Sequence, residues 1–156
     1  MTRDAALLAV DAELTRLAHM MASNRGHRLR SERSGTALAR HELVLLGDVA
    51  RHGPTRLTDL AGRLQMELPH ASRTVRNLVE RGLLHQARDE LDGRAVVLST
   101  SRKGAATVER YREASRRLLD EALTDWPDRR VDDLATMLAE LTEAFAVHPD
   151  VDTISA

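Results

Sequence analysis

The sequence predicts a mainly α (α+β) fold, and three observations carry that prediction. Two helical patterns, over residues 58–64 and 68–81, stand either side of a short turn. Two strand-like runs follow at once, Leu83–Ala87 and Arg94–Thr100, around a charged, glycine-containing tip at Arg88–Gly93. Apolar residues at helical spacing occupy both ends of the chain. Two helices and then a hairpin is the order of a winged helix-turn-helix, here with N- and C-terminal dimerisation helices. At 156 residues the chain has the length of one domain. Within it, residues 36–104 form the winged helix-turn-helix, and residues 1–35 and 105–156 the dimerisation helices.

From Asp4 to Met21, Leu7, Leu8, Val10, Leu14, Leu17, Ala18 and Met21 recur at helical spacing. Ser23-Asn24-Arg25-Gly26 reads as the end of that helix, with Gly26 as a left-handed cap. A polar, arginine-rich connection is expected from His27 to Gly35. A second helix, from Thr36 or Ala37 to His52, is apolar on most sides (Leu38, Leu43, Val44, Leu45, Leu46, Val49), which predicts a central, buried element. Gly53-Pro54 ends it.

In the next helix Thr58 is the expected N-cap, with Asp59 favoured at the positive helix end. Pro69 suits the first turn of the helix after that. On a 3.6-residue period Ala71, Val75, Leu78 and Gly82 share one face. Pro69, Arg73, Arg76 and Glu80 share the opposite one, flanked by His70, Ser72 and Asn77. The first face is expected to pack inward. The second is left to meet a partner, and its arginines can chelate guanine edges or pair with phosphates.

Asp92-Gly93-Arg94 at the hairpin tip, followed by Ser101 and Gly104, resembles the MarR (multiple antibiotic resistance regulator) family. That family carries an Asp-x-Arg at the wing tip and then a Thr or Ser capping a helix near a Gly. The block ASRTVRNLVERGLL resembles the family's recognition helix, and RHGPTRLTDLAGRL the approach to it. The resemblance implies a winged helix-turn-helix transcription regulator, a homodimer joined by its terminal helices, with double-stranded DNA as partner. It implies that Arg94 enters the minor groove while Asp92 orients it. A narrow minor groove concentrates the negative potential that a guanidinium senses. The implied DNA contacts are Pro69, His70, Ser72, Arg73, Arg76, Arg88, Asp92 and Arg94. Three positions depart from the pattern: Gln65 stands where the inter-helix turn usually has glycine, Thr100 where leucine is common, and Ala87, not a basic residue, precedes Arg88. The resemblance also implies a small anionic aromatic effector, held where the dimer helices meet the DNA module, with Arg16, His19, Met20 and His41 as lining residues.

After the wing, Ser101 is expected to cap a long helix to Thr124 carrying the stripe Val108, Tyr111, Ser115, Leu118 and Ala122. Pro127 opens a last helix to Val147, where Val131, Leu134, Leu138, Leu141 and Phe145 make a narrow seam suited to another helix. Pairing the first and last helices with those of a second copy buries both stripes. A two-fold dimer of this kind expects near-palindromic operators with half-sites ~34–36 Å apart.

Composition bounds the rest. The chain is 42% hydrophobic but 2% aromatic, so its core must be aliphatic. Lacking cysteine, it has no disulfide framework, thiolate zinc site or cysteine redox sensor. No apolar run approaches the roughly 18 residues of a membrane span, and the start lacks a signal-peptide pattern, so no membrane and a cytoplasmic location are expected. The net charge of −1 conceals a segregation: residues 51–104 carry +4, residues 1–50 carry +1, and residues 105–156 carry −6. The basic excess falls on the module expected to meet DNA.

The seven histidines, at 19, 27, 41, 52, 70, 85 and 148, contain no His-x3-His pair. No metal and no cofactor is expected, and no nucleophile–base motif points to an enzyme. The rival readings are a metal-responsive regulator and a winged helix that binds protein. The second would more often show exposed apolar anchors where Arg73, Arg76 and Arg94 stand.

Overall fold

The computed structural model describes residues 2–88 and 96–147. By its internal contacts the chain divides into two compact units, residues 1–116 and 117–156. The first holds α1 (Arg3–Ala22), α2 (Asn24–Ser34), α3 (Arg40–His52), β1 (Thr55–Arg56), α4 (Leu57–Arg63), α5 (Leu68–Glu80), β2 (Leu84–Arg88) and β3 (Val96–Thr100). Helix α6 (Arg102–Ala122) runs across the boundary, and α7 (Asp128–Val147) belongs to the second unit.

The winged helix is present, and its core is aliphatic. Leu45, Leu46, Val49, Leu60, Leu78, Leu84 and Leu98 are fully buried and bring α3, α4, α5 and both wing strands together. Each such side chain contributes roughly 1.5–3 kcal/mol relative to leaving it in water. Helix α3 is central as expected, although Val44 stays exposed. The wing strands pair antiparallel, from Leu84 opposite Thr100 to Arg88 opposite Val96.

Four local readings are corrected. The stretch read as a polar connection is helix α2. Ser23 is its N-cap, accepting from the Gly26 N–H at 3.4 Å, so Gly26 lies inside a helix and does not end one. The left-handed residue is Gly35, at φ 64°. Helix α2 has no apolar stripe to betray it. It is held by polar bonds, His27 Nε2 donating to the Leu38 carbonyl at 3.1 Å and Arg30 Nε to Tyr111 Oη at 3.1 Å. A third strand was also hidden: Thr55 and Arg56 pair with Leu98 and Val97, so the sheet order is β1-β3-β2. Because the chain enters α4 from that strand, α4 begins at Leu57, and its N-cap is Arg56 rather than Thr58. Thr58 lies in the first turn and its hydroxyl reaches Asp59 at 3.4 Å.

Gln65 explains how the inter-helix turn closes without glycine. It takes φ 50°, and the Gln65 and Met66 N–H groups bond the Gly62 and Ala61 carbonyls at 3.1 and 2.9 Å. That is a Schellman closure with a non-glycine residue in the left-handed position. The conformation costs an L residue about 1–2 kcal/mol, and more for a β-branched one. Gln65→Gly is therefore expected to hold or slightly raise the urea midpoint, because relieved strain offsets the added freedom of the unfolded chain. Gln65→Ile is expected to lower stability by about 1–2 kcal/mol. Isoleucine tolerated as well as glycine would contradict this account of the turn.

Helix α6 starts as the sequence predicts. Ser101 Oγ accepts from the Gly104 N–H at 2.9 Å and donates to the Gly82 carbonyl at 2.7 Å, tying the end of α5 to the start of α6. In the second unit α7 buries no residue, and its Val131, Leu134 and Leu141 are half-buried. The Arg130 guanidinium lies 3.9 Å over the Trp126 ring. Among the described residues, no helix is long and apolar enough to cross a membrane.

Candidate nucleic-acid interface

Helix α5 presents the two faces its sequence predicts. Ala71, Thr74, Val75 and Leu78 are buried against the core. Pro69, Arg73, Arg76 and Glu80 are exposed, while His70 and Ser72 are half-buried. Pro69 sits at the second helical position, where its missing N–H costs no helical bond. Among the described residues neither Arg73 nor Arg76 has an ion-pair or hydrogen-bond partner. Their donors are therefore held outward and uncommitted. Arg88 is exposed at the end of β2. Asp92 and Arg94 lie outside the described residues.

A buried carboxylate sets the angle of α5. Glu42, at 4% exposure, accepts from the Ala39 N–H at 2.7 Å, from the Asn77 Nδ2 group, and from Arg81 at 3.3 Å. Arg81 also donates to the Ala37 carbonyl at 3.2 Å. One acidic residue thereby closes the first turn of α3 and grips the last two turns of α5. Asn77, expected on the flank of the outward face, is committed to this interior node. Neither Glu42 nor Arg81 stands out in the sequence as a site residue. The available signal was an acid three residues after the helix start in an otherwise leucine-rich helix, the N3 place of a capping box.

A second polar node fixes α4. Arg63 donates to Asp48 through Nε at 3.2 Å and through its terminal amino group, and to Thr55 Oγ1 at 3.1 Å. The hydrogen bond to Asp48 raises the Arg63 pKa above its ordinary value, and the Asp48 and Asp59 charges act in the same direction. The guanidinium joins α3, β1 and α4. Both helices of the helix-turn-helix are locked by packing and by an ionic node before any partner arrives.

The expected effector residues do not assemble in this chain. Arg16 is exposed and paired with Glu13 at 3.5 Å, and His19 and Met20 are exposed on α1. His41 is exposed on α3 and meets the His70 ring at a centroid distance of 5.2 Å. No hydrogen bond, ion pair or ring contact joins the α1 residues to His41 among the described residues. Likewise no three His, Asp or Glu side chains among the described residues group as metal ligands would.

Residues 38–96 match the model of the MarR family. Among solved structures, the fold is similar to that of a MarR family protein from Bacillus stearothermophilus, with a TM-score of 0.75 and 21% identity over 88% of this chain and 96% of that one. It is similar to a probable transcriptional regulator from Pseudomonas aeruginosa, with a TM-score of 0.60 and 26% identity over 82% and 93%. A mutant MarR from E. coli, complexed with operator DNA, matches with a TM-score of 0.61 and 21% identity over 83% and 93%. No curated protein matches the chain significantly.

Proposed function

We propose that this chain, which carries a MarR-family winged-helix domain over residues 38–96, is a cytoplasmic, sequence-specific DNA-binding transcription regulator. It acts as a homodimeric repressor on near-palindromic operators. The observation that carries this is the pair Arg73 and Arg76, outward and without a partner among the described residues, on a helix whose other face is locked to the core. A rigid helix with two free guanidiniums is suited to reading guanine edges in the major groove. The +4 charge of residues 51–104 supplies the sequence-independent attraction. In this reading Pro69, His70 and Ser72 flank the contact, Arg88 meets backbone phosphate, and Arg94 enters the minor groove with Asp92 orienting it. The E. coli neighbour bound to operator DNA has the same fold and supports the assignment.

A second copy is supported by what each end of the chain leaves uncovered. Helix α1 exposes Leu7, Leu8, Val10, Leu17, Met20 and Met21, and α7 exposes Met137, Leu138, Phe145 and Val147. Apolar runs of this size are costly in water and mark interaction surfaces. In the dimer, α1 and α7 of one copy cover those of the other. An anionic aromatic effector at Arg16, His19, Met20 and His41 would then act by preferring one spacing of the two α5 helices, a shift of populations. Assembly of that pocket awaits the second copy.

Fluorescence anisotropy on DNA from upstream of the chain's own gene, across a salt series, tests the reading. Wild type is expected to bind with a steep salt slope, and Arg94→Ala to weaken binding by about 1–3 kcal/mol. Light scattering is expected to give twice the 17.3 kDa chain mass. A protein that binds no DNA even at low salt is no regulator of this kind, and the protein-binding reading of the winged helix replaces it.

A further inference from the structure

We propose that the buried Glu42 determines how sharply α5 discriminates between DNA sequences. With Asn77 and Arg81 it fixes the roll of α5 about its own axis, and so decides where Arg73 and Arg76 point. This rests on the reading of α5 as the recognition helix. Glu42 is a positioning residue, since it is 4% exposed and acts only through the helix it holds.

Reading side chains must be held within about 0.5 Å and 10–20° of their productive places. Side chains reach about 5–6 Å from a helix axis, so a roll of about 10° moves their outer atoms by about 1 Å. The apolar residues on the inward face of α5 are Ala71, Val75 and Leu78, and apolar attraction is non-directional. Thr74, also buried there, donates its hydroxyl to the His70 carbonyl of its own helix at 3.0 Å. Neither sets a roll angle relative to α3. Hydrogen bonds do, because they weaken steeply with angle.

Glu42 accepts from Asn77 Nδ2, and from Arg81 Nη1 at 3.4 and 3.3 Å to its two oxygens. Asn77 and Arg81 stand one turn apart, about 6 Å along the axis, so one carboxylate holds α5 at two points. The carboxylate is itself fixed by the Ala39 N–H at 2.7 Å. Arg81 also donates to the Ala37 carbonyl at 3.2 Å, and its own carbonyl accepts from Lys103 at 2.9 Å. The grip therefore reaches α5 from both α3 and α6. Asn77 follows Arg76 directly and lies one turn beyond Arg73, so only rigid helix separates the grip from the reading side chains.

Energetics points the same way. A buried ion pair is a weak source of stability, because desolvation of both charges offsets much of their attraction. Well-packed apolar replacements are often as stable. What apolar replacement would not restore is the single orientation of α5 that the directional bonds specify. Stability and discrimination are thus separable here, whereas a merely structural residue would move them together.

The test selects a preferred duplex from a randomised pool with the wild-type full-length chain. Affinity of each variant for that duplex and for a scrambled one is then measured beside thermal unfolding. Glu42→Leu with Arg81→Leu conserves net charge, so scrambled DNA is expected to bind as in wild type, with the same salt slope. The Tm is expected to stay within a few degrees, while the ratio of selected to scrambled affinity falls at least tenfold, the loss of about one bidentate base contact. Glu42→Gln keeps the shape but loses the charge and one acceptor, and is expected to lower the ratio several-fold. Val108→Ala opens the buried core away from the node, and is expected to lower the Tm while keeping the ratio. Wild-type discrimination in the double variant, or in Glu42→Gln where the double variant is unfolded, overturns the proposal and leaves the regulator reading standing. So does a ratio that falls equally in Val108→Ala, since discrimination would then follow stability alone. A wild-type chain that prefers no sequence removes the regulator reading itself, and this proposal with it.

Discussion

Replacing Arg73 and Arg76 together with alanine is expected to reduce operator affinity by roughly 30-fold or more while leaving the unfolding midpoint in place. Each guanidinium making a bidentate contact to a guanine edge discriminates by about 1–3 kcal/mol, so two lost contacts correspond to roughly 30-fold to 10⁴-fold. Both side chains are exposed and bond nothing else among the described residues, so the fold should not register their removal. Alanine is also a better helix former than arginine, slightly favouring α5. The two variants taken singly separate the roles. A residue that reads a base relaxes sequence preference at one position, whereas one that holds a phosphate weakens all sequences alike and lowers the salt slope by about one. Unchanged affinity in the double variant would mean that α5 is not the reading helix.

Gly104→Ala is expected to cost about 3 kcal/mol or more, enough to abolish much of the stability of a chain this size. A Cβ at Gly104 would run into the Leu83 carbonyl, with the buried Leu46 side chain 3.3 Å away. That carbonyl cannot withdraw, because it accepts from the Ser101 N–H at 3.1 Å, and Ser101 in turn bonds Gly82 and Gly104. The clash therefore falls on a backbone junction where the end of α5, the wing and α6 meet. Gly47→Ala supplies the contrast: its added methyl meets open space inside helix α3, and the same chemical change should stabilise by about 1 kcal/mol. Urea unfolding of the pair distinguishes a steric requirement from a general response to lost glycine. Equal midpoints for the two variants would remove the close-approach argument.

How far the sequence could be read depended on how local each feature's cause is. The two faces of α5 follow from helical period alone, and the burial of Ala71, Val75 and Leu78 matches it. Ser101 capping α6 is equally local, since its partner at Gly104 is three residues away. The two-strand wing was legible from alternating runs around a turn, whereas β1 was not. Two residues carry no periodicity, and only their pairing with Leu98 and Val97 makes them a strand. Helix α2 escaped for a related reason. Hydrophobic period is the main sequence signal for a helix, and α2 substitutes hydrogen bonds from His27 and Arg30 to groups on other elements.

By itself, then, the sequence determined the winged-helix order, the aliphatic core, the outward placing of Arg73 and Arg76, and the basic charge of the central module. Tertiary structure alone decided the node that fixes the recognition helix, where Glu42 meets Asn77 and Arg81 across 35 and 39 residues of chain. The reason is physical. Helical period and capping act within a turn or two, so the order of residues encodes them directly, whereas a buried carboxylate takes its meaning from groups that only folding brings within 3–4 Å.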